Sequence, residues 1–220
     1  MKKLLLHSAV VFCCNQTFAQ SSKWGVTFTP AIVHTTSYNA GLQLGGEYRF
    51  SNRLGLLTEF TVAIKREPDA SYPEQRFFRV KPELRYFLSG NKTQKGPYAG
   101  LQISYSSRSW KAINGSYFED QIYEDSAITF QRAFVRSPVI SSSLQLGAFA
   151  TLGDHFCLDF FLGIGARLIH TSYSDVQNSG KVYSLPPKCK IIISPDPAWW
   201  VNGNITRVHF NTGIRFLYRF

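Results

Sequence analysis

Two groups of residues in this 220-residue sequence have types and spacings suited to chemistry. The first sets histidines beside hydroxyls: His34-Thr35-Thr36-Ser37, then His170-Thr171-Ser172-Tyr173-Ser174-Asp175, with His209 further on. A His base, a Ser nucleophile and an orienting acid such as Asp175 or Glu124 are the cast that acyl transfer requires. Polar loops use the same residues far more often, so no catalytic residue is assigned. The second group is a set of charges separated by even numbers of positions, often two. Glu47 and Arg49, Glu59 and Lys65, then Arg79, Lys81, Glu83 and Arg85 follow this spacing. Asp159 and Arg167, then Arg207, Arg215 and Arg219, continue it in the second half. Spacing by two places such residues on one face of a β-strand.

Other constellations exclude more than they suggest. Gly163-Ile164-Gly165 lacks the third glycine and the following helix of a dinucleotide fingerprint. Beyond the N-terminal segment only Cys157 and Cys189 remain, a pair that matches no metal-site spacing, and both are expected as free thiols. No metal or cofactor is expected. The formal net charge is +10, or +8 without Lys2 and Lys3. Such a balance attracts polyanions, but no zinc knuckle, helix-turn-helix or stacking motif supports nucleic acid as the partner.

The charges alternate with apolar residues in eight segments, which predicts eight strands. Trp24 to Val33 is the weakest. Next come Ala40 to Phe50, Leu54 to Ile64, Phe78 to Leu88 and Ala99 to Tyr105. Leu144 to Leu152, Leu158 to Leu168 and Phe210 to Phe220 complete the set. In each, the apolar face carries no charge. A soluble sheet turns its apolar face inward, whereas a membrane barrel turns it out to lipid and keeps polar groups inside.

Connector lengths separate these options. Ser51-Asn52-Arg53, Gly153 to Phe156 and Ser89 to Gly96 are short. Arg66 to Gln75, Trp110 to Pro138 and Thr171 to Gly203 are longer and are expected as outer loops; only the connection around His34 to Asn39 is short on that side. Short turns at one end and long loops at the other are the pattern of outer-membrane barrels. Tyr48, Phe50, Tyr86, Tyr218 and Phe220 fall near one end; Tyr105, Trp110, Trp199 and Trp200 near the other, as interfacial girdles would. Pro82, inside the fourth strand, lacks the N–H a closed sheet uses, and a local bulge is expected there.

The N-terminus reads as a secretory leader over 1–19. Met1-Lys2-Lys3 is basic, Leu4 to Cys14 is apolar, and Thr17 and Ala19 are small. A lipid attachment at Cys13 or Cys14 is the alternative, though bulky Phe12 suits it poorly. Asn211-x-Gly213-x-x-Phe216-x-Tyr218, ending at Phe220, resembles the signal by which barrel assembly machinery recognises its substrates.

On this pattern the chain resembles the small eight-stranded bacterial outer-membrane β-barrel proteins of the OmpA-transmembrane and OmpX type. Phe18-Ala19-Gln20 is similar to the export sites of Bacteroidota. The resemblance implies an all-β, eight-stranded antiparallel transmembrane barrel over 20–220, located in the cell outer membrane among lipid and lipopolysaccharide. It carries over no functional residue.

An eight-stranded barrel is only wide enough for its own side chains. Glu47, Arg49, Glu59, Arg79, Lys81, Glu83, Arg85, Asp159, Arg167 and Arg215 are therefore expected to form a structural charge network in the lumen, where an unpaired charge would cost several kcal/mol. The function expected is non-enzymatic: a structural or surface-interaction role, with a protein or glycan partner at the outer loops. A lipid-A-modifying hydrolase or acyltransferase, a small anion-preferring porin-like pore, and a soluble secreted barrel are the alternatives.

Overall fold

Period-two burial runs through the strands of the computed structural model, which describes residues 23–29, 41–63, 75–89, 96–119, 126–183 and 201–220. In order the strands are β1 (Trp24–Thr29), β2 (Gly41–Arg49), β3 (Leu54–Ala63), β4 (Gln75–Phe87) and β5 (Gly96–Tyr117). They continue as β6 (Ser126–Arg136), β7 (Val139–Thr151), β8 (Phe156–Gln177), β9 (Gly180–Tyr183) and β10 (Gly203–Arg219). There is no helix among the described residues.

Eight of these strands form a closed antiparallel ring in the order β1-β2-β3-β4-β5-β7-β8-β10, with β10 returning to β1 through Gly25↔Arg219 and Phe28↔Phe216. Closure leaves no open edge along the ring, so every ladder satisfies its neighbour's backbone groups. Alternation then has a fixed sense. In β5, Tyr98, Gln102, Ser104, Ser106 and Arg108 are buried inside, while Leu101, Ile103 and Tyr105 are exposed outside. Apolar residues face out and charged ones face in.

Two of the segments expected as outer loops contain strand among the described residues. β5 runs on to Tyr117, and β6 and β7 act as one strand interrupted only at Ser137-Pro138. Both keep the same register against β5 (Ser109↔Arg136, Ser106↔Val139) and against β8 (Arg136↔Ser172, Val139↔Ile169). Pro138 donates nothing, but Ser137 N–H reaches Arg108 O at 2.9 Å and Pro138 O accepts from His170 N–H at 3.0 Å. Likewise β8 extends to Gln177, and β9 continues its pairing with β6. One residue is inserted near Asp175, where Arg132↔Gln177 is followed by Phe134↔Ser174. Asp175 has φ 52°, a left-handed backbone that Asp tolerates better than most residues.

The bulge expected at Pro82 is absent. Registers on either side are unbroken, Thr58↔Pro82 toward β3 and Val80↔Tyr105 to Glu83↔Gln102 toward β5. Pairing with β5 lapses only at Lys81 and Pro82, so the missing N–H costs a rung without shifting the strand. Trp110, expected in an outer girdle, is in phase with Arg108 and is buried on the inner face. The leader 1–19, His34, Lys65, Glu124, Cys189, Trp199 and Trp200 lie outside the described residues.

β7 and β8 approach closely at Gly165, where a Cβ would lie 2.0 Å from Ser142 O. At Gly46, on the outer side, the nearest atom to a Cβ would be Gly25 O at 4.0 Å. Gly165→Val is expected to destabilise the folded protein by about 3 kcal/mol or more, because a backbone oxygen cannot step aside. Gly46→Ala is expected to be near neutral. Unfolding midpoints in urea would compare them.

Candidate functional site

The interior is filled in tiers. At the end carrying the short turns, Phe87, Tyr98, Phe149, Cys157 and Leu217 form an apolar plug. Arg49 caps it, its guanidinium 3.8 Å from the Phe87 ring centre, and Arg219 lies 4.7 Å from that of Phe149. Cys157 is a buried free thiol.

Above the plug sit the acids and their partners. Arg85 holds Glu47 at 2.8 Å, Glu83 at 2.7 Å and Asp159 at 2.7 Å. Arg215 holds Glu83 at 2.9 Å and Asp159 at 3.0 Å. Its Nε lies 3.1 Å from Glu59, close enough to pair but off the line for a hydrogen bond. The two arginines thus share Glu83 and Asp159 between them. Lys81 pairs with Glu59 at 3.2 Å, while Arg49 and Arg219 reach Glu47 at 3.0 and 3.4 Å. Arg85, Glu83, Asp159 and Arg215 are each 0% exposed. Tyr98 donates its hydroxyl to Asp159 at 2.9 Å, and Arg215 stacks 3.8 Å from the Phe161 ring.

A neutral tier follows. Gln43 donates to Glu59 and accepts from Thr61; Gln102 donates to Glu83 and accepts from Asn211. Ser104 and Ser141 meet at 2.6 Å. Beyond it lie basic groups of a different kind: Arg79, Arg108, Arg167, Arg207 and His209. Arg79 donates to Ser106 at 2.9 Å, and Arg108 donates to the Ser137 carbonyl and hydroxyl at 2.9 and 2.8 Å.

Of the ten charges expected in one network, eight are joined by ion pairs: Glu47, Arg49, Glu59, Lys81, Glu83, Arg85, Asp159 and Arg215. Arg79 and Arg167 lie in the upper basic tier. Sequence reading gave no role to Tyr98 or Arg108, each in phase with a buried residue two positions away, Gly100 and Ser106. Gln43 falls on the polar face of its alternating segment, between Leu42 and Leu44, and that alternation was the available signal.

The far end of the ring carries a β extension built from the outer half of β5, β6, the end of β8, and β9. Its interior is aromatic: Tyr117 and Tyr173 stack at 4.1 Å, and Phe130 lies 5.8 Å from Tyr173. Burial pushes both phenols above their ordinary range, so they stay neutral. Gly115 leaves room for the Phe130 ring, which a Cβ would meet at 2.6 Å.

The two described rim histidines do not converge. His170 is exposed and its Nδ1 meets Asn204 at 2.7 Å, while His209 lies on the inner face. Ser174 donates toward Phe134 O at 3.4 Å rather than to an imidazole. Among the described residues no group of three or more His, Cys, Asp or Glu is arranged to hold a metal.

In comparison with known proteins, a family profile described as "Protein of unknown function (DUF3575)" matches residues 7–191. No curated protein matches the chain.

The geometry makes Arg85 and Arg215 the costliest interior side chains to remove. Arg85→Met or Arg215→Met takes one partner from each of three buried carboxylates, which the remaining cations then hold only in part, and is expected to cost about 3–5 kcal/mol of stability. Arg49→Met is expected to cost less, since Arg85 and Arg219 still hold Glu47. Urea unfolding of the three variants tests the order; equal losses would contradict it.

Proposed function

The chain belongs to the family of proteins of unknown function DUF3575, and we propose that it is an exported outer-membrane β-barrel with a structural or surface-interaction role and no catalysis. The observation that carries this reading is the inverted burial. Leu144 and Leu146 are 66% exposed and Leu162 is 61% exposed, while Glu59, Arg85 and Arg215 inside are fully buried. Outward apolar residues come from β1 through β10, a belt around the whole ring. Soluble monomers rarely expose continuous apolar patches beyond a few hundred Å². Lipid is the solvent that suits such a belt.

Details at the belt's margins favour the same reading. Outward aromatics gather at the turn end, with Trp24 4.5 Å from Tyr48, and Tyr218 5.0 and 5.2 Å from Phe156 and Phe220. Rings of this kind suit a membrane interface. Exposed Lys111, Arg132 and Arg136 stand on the extension beyond the belt's other margin, where lipid and lipopolysaccharide phosphates would meet them. The extension, raised above the belt, is the surface offered to a protein or glycan partner. Barrel assembly machinery is the partner during insertion.

The tiers of buried side chains argue against a porin-like pore. A plug of Phe87, Tyr98, Phe149 and Leu217 beneath a fully buried Arg85 and Arg215 leaves little space for a water path. A lipid-modifying hydrolase draws no support from His170 and His209, which point to opposite faces.

Two experiments test the reading. Migration of the extracted outer-membrane fraction on a gel, with and without boiling, is expected to shift, as folded barrels do; recovery in the soluble fraction would overturn it. In planar bilayers the purified protein is expected to show no steady conductance, and a stable channel would restore the pore.

A further inference from the structure

The acids of the interior are fully committed below the upper basic tier. Glu47, Glu59, Glu83 and Asp159 are each bound by one or more of Arg49, Lys81, Arg85, Arg215 and Arg219. Arg79, Arg108 and Arg207 face the same interior without a carboxylate in contact among the described residues. The side chains act on one another electrostatically: Arg108 on Arg79, Arg167 on Arg108, and Arg167 and Arg79 on His209. Among the described residues, Glu59 is the carboxylate whose field reaches Arg79, and it is already held by Lys81 and Arg215.

Two features mark this tier as unfinished. Arg207 and Arg167 are direct partners across the β10–β8 ladder, and like charges directly opposite repel. Arg207 is 7% exposed, yet its Nη1 is buried with no hydrogen-bond partner, and so is His209 Nδ1. An arginine stays charged, so it cannot escape the cost of burial by losing a proton. A buried cation without a counter-charge costs several kcal/mol. Ion-paired interior groups below show that this fold otherwise meets that cost.

We propose that the upper interior of the ring is an oxyanion-binding site, in which Arg79, Arg108 and Arg207, with His209, take a phosphate-type group. Guanidinium forks match phosphate oxygens bidentately. A polyanionic group bridging these side chains would supply the missing acceptors and offset the Arg167–Arg207 repulsion. Ile169, Val201 and Ile205 pack over the β8–β10 side, and Arg79 and His209 are half-buried. The site rests on the interior geometry and holds whether or not the belt meets lipid.

The test is thermal unfolding of the purified full-length protein at constant ionic strength. Inorganic phosphate is titrated against chloride, with a short-chain phosphatidic acid in a second arm. Phosphate is expected to raise the midpoint, with binding at least tenfold weaker in Arg207→Gln and in Arg79→Gln. Lys111→Gln, on the outer surface, is expected to keep the full response. Without phosphate, Arg207→Gln is expected to be at least as stable as the parent, since repulsion is relieved. Response to phosphatidic acid alone would identify a lipid headgroup as the source of the same chemistry. An equal phosphate response in Arg207→Gln and the parent, or none to either ligand, would overturn the site.

Discussion

Arg85 and Arg215 are both fully buried, each bound to Glu83 and Asp159, and the rest of the ring is arranged around that pairing. Four strands supply the groups: β4 gives Arg85 and Glu83, β8 gives Asp159, β10 gives Arg215, and β2 adds Glu47. A shift of any strand by one residue would turn its charges outward and leave partners stranded inside, because side chains alternate with a period of two. The network therefore sets register as much as it adds stability. Replacing a buried ion pair by apolar groups is often neutral or stabilising, so its clearest service here is specificity.

With the interior fixed, the outside follows. Every residue that alternates with inward charges must face out, and in this chain most of those residues are apolar: Tyr48, Val80, Leu84, Phe216 and Tyr218, with Pro82 among them. The belt and the network are two faces of one pattern. Lipid as the medium around the belt is the proposal that reconciles them: exposing that much apolar surface to water would be unfavourable at about 25 cal/mol per Å². The extension obeys other rules. Past Arg136 and Thr171 the chain keeps its hydrogen bonds but surrounds an aromatic cluster instead of ion pairs, as suits a surface for contact.

Much of this was legible in the sequence, and the reasons differ by element. The eight alternating segments at β1 to β5, β7, β8 and β10 are each anchored by apolar residues two apart, which is the signal that survives best in a single chain. The inward charges followed from the same period. The extension was hidden because Ser107, Ser109, Asn114 and Gly115 break the hydrophobic rhythm while the burial rhythm continues unbroken to Trp110. Pro138 ends a segment expected as an outer loop, yet its flanks pair through Ser137 N–H and Pro138 O. Pro82 looked like a bulge, and the register there is intact. The division of the charges into a paired tier and an upper basic tier had no signature in composition. It depends on which strands face one another across the interior, and that is decided by closure.

The most direct measurement is spin-label accessibility along Leu144, Gln145 and Leu146 in reconstituted vesicles, comparing oxygen with a water-soluble relaxation agent. The expected result is high oxygen access and low aqueous access at 144 and 146, with neither agent reaching 145. High aqueous access at 144 and 146 would contradict it: the apolar belt would then face water, and the ring would not be a membrane protein.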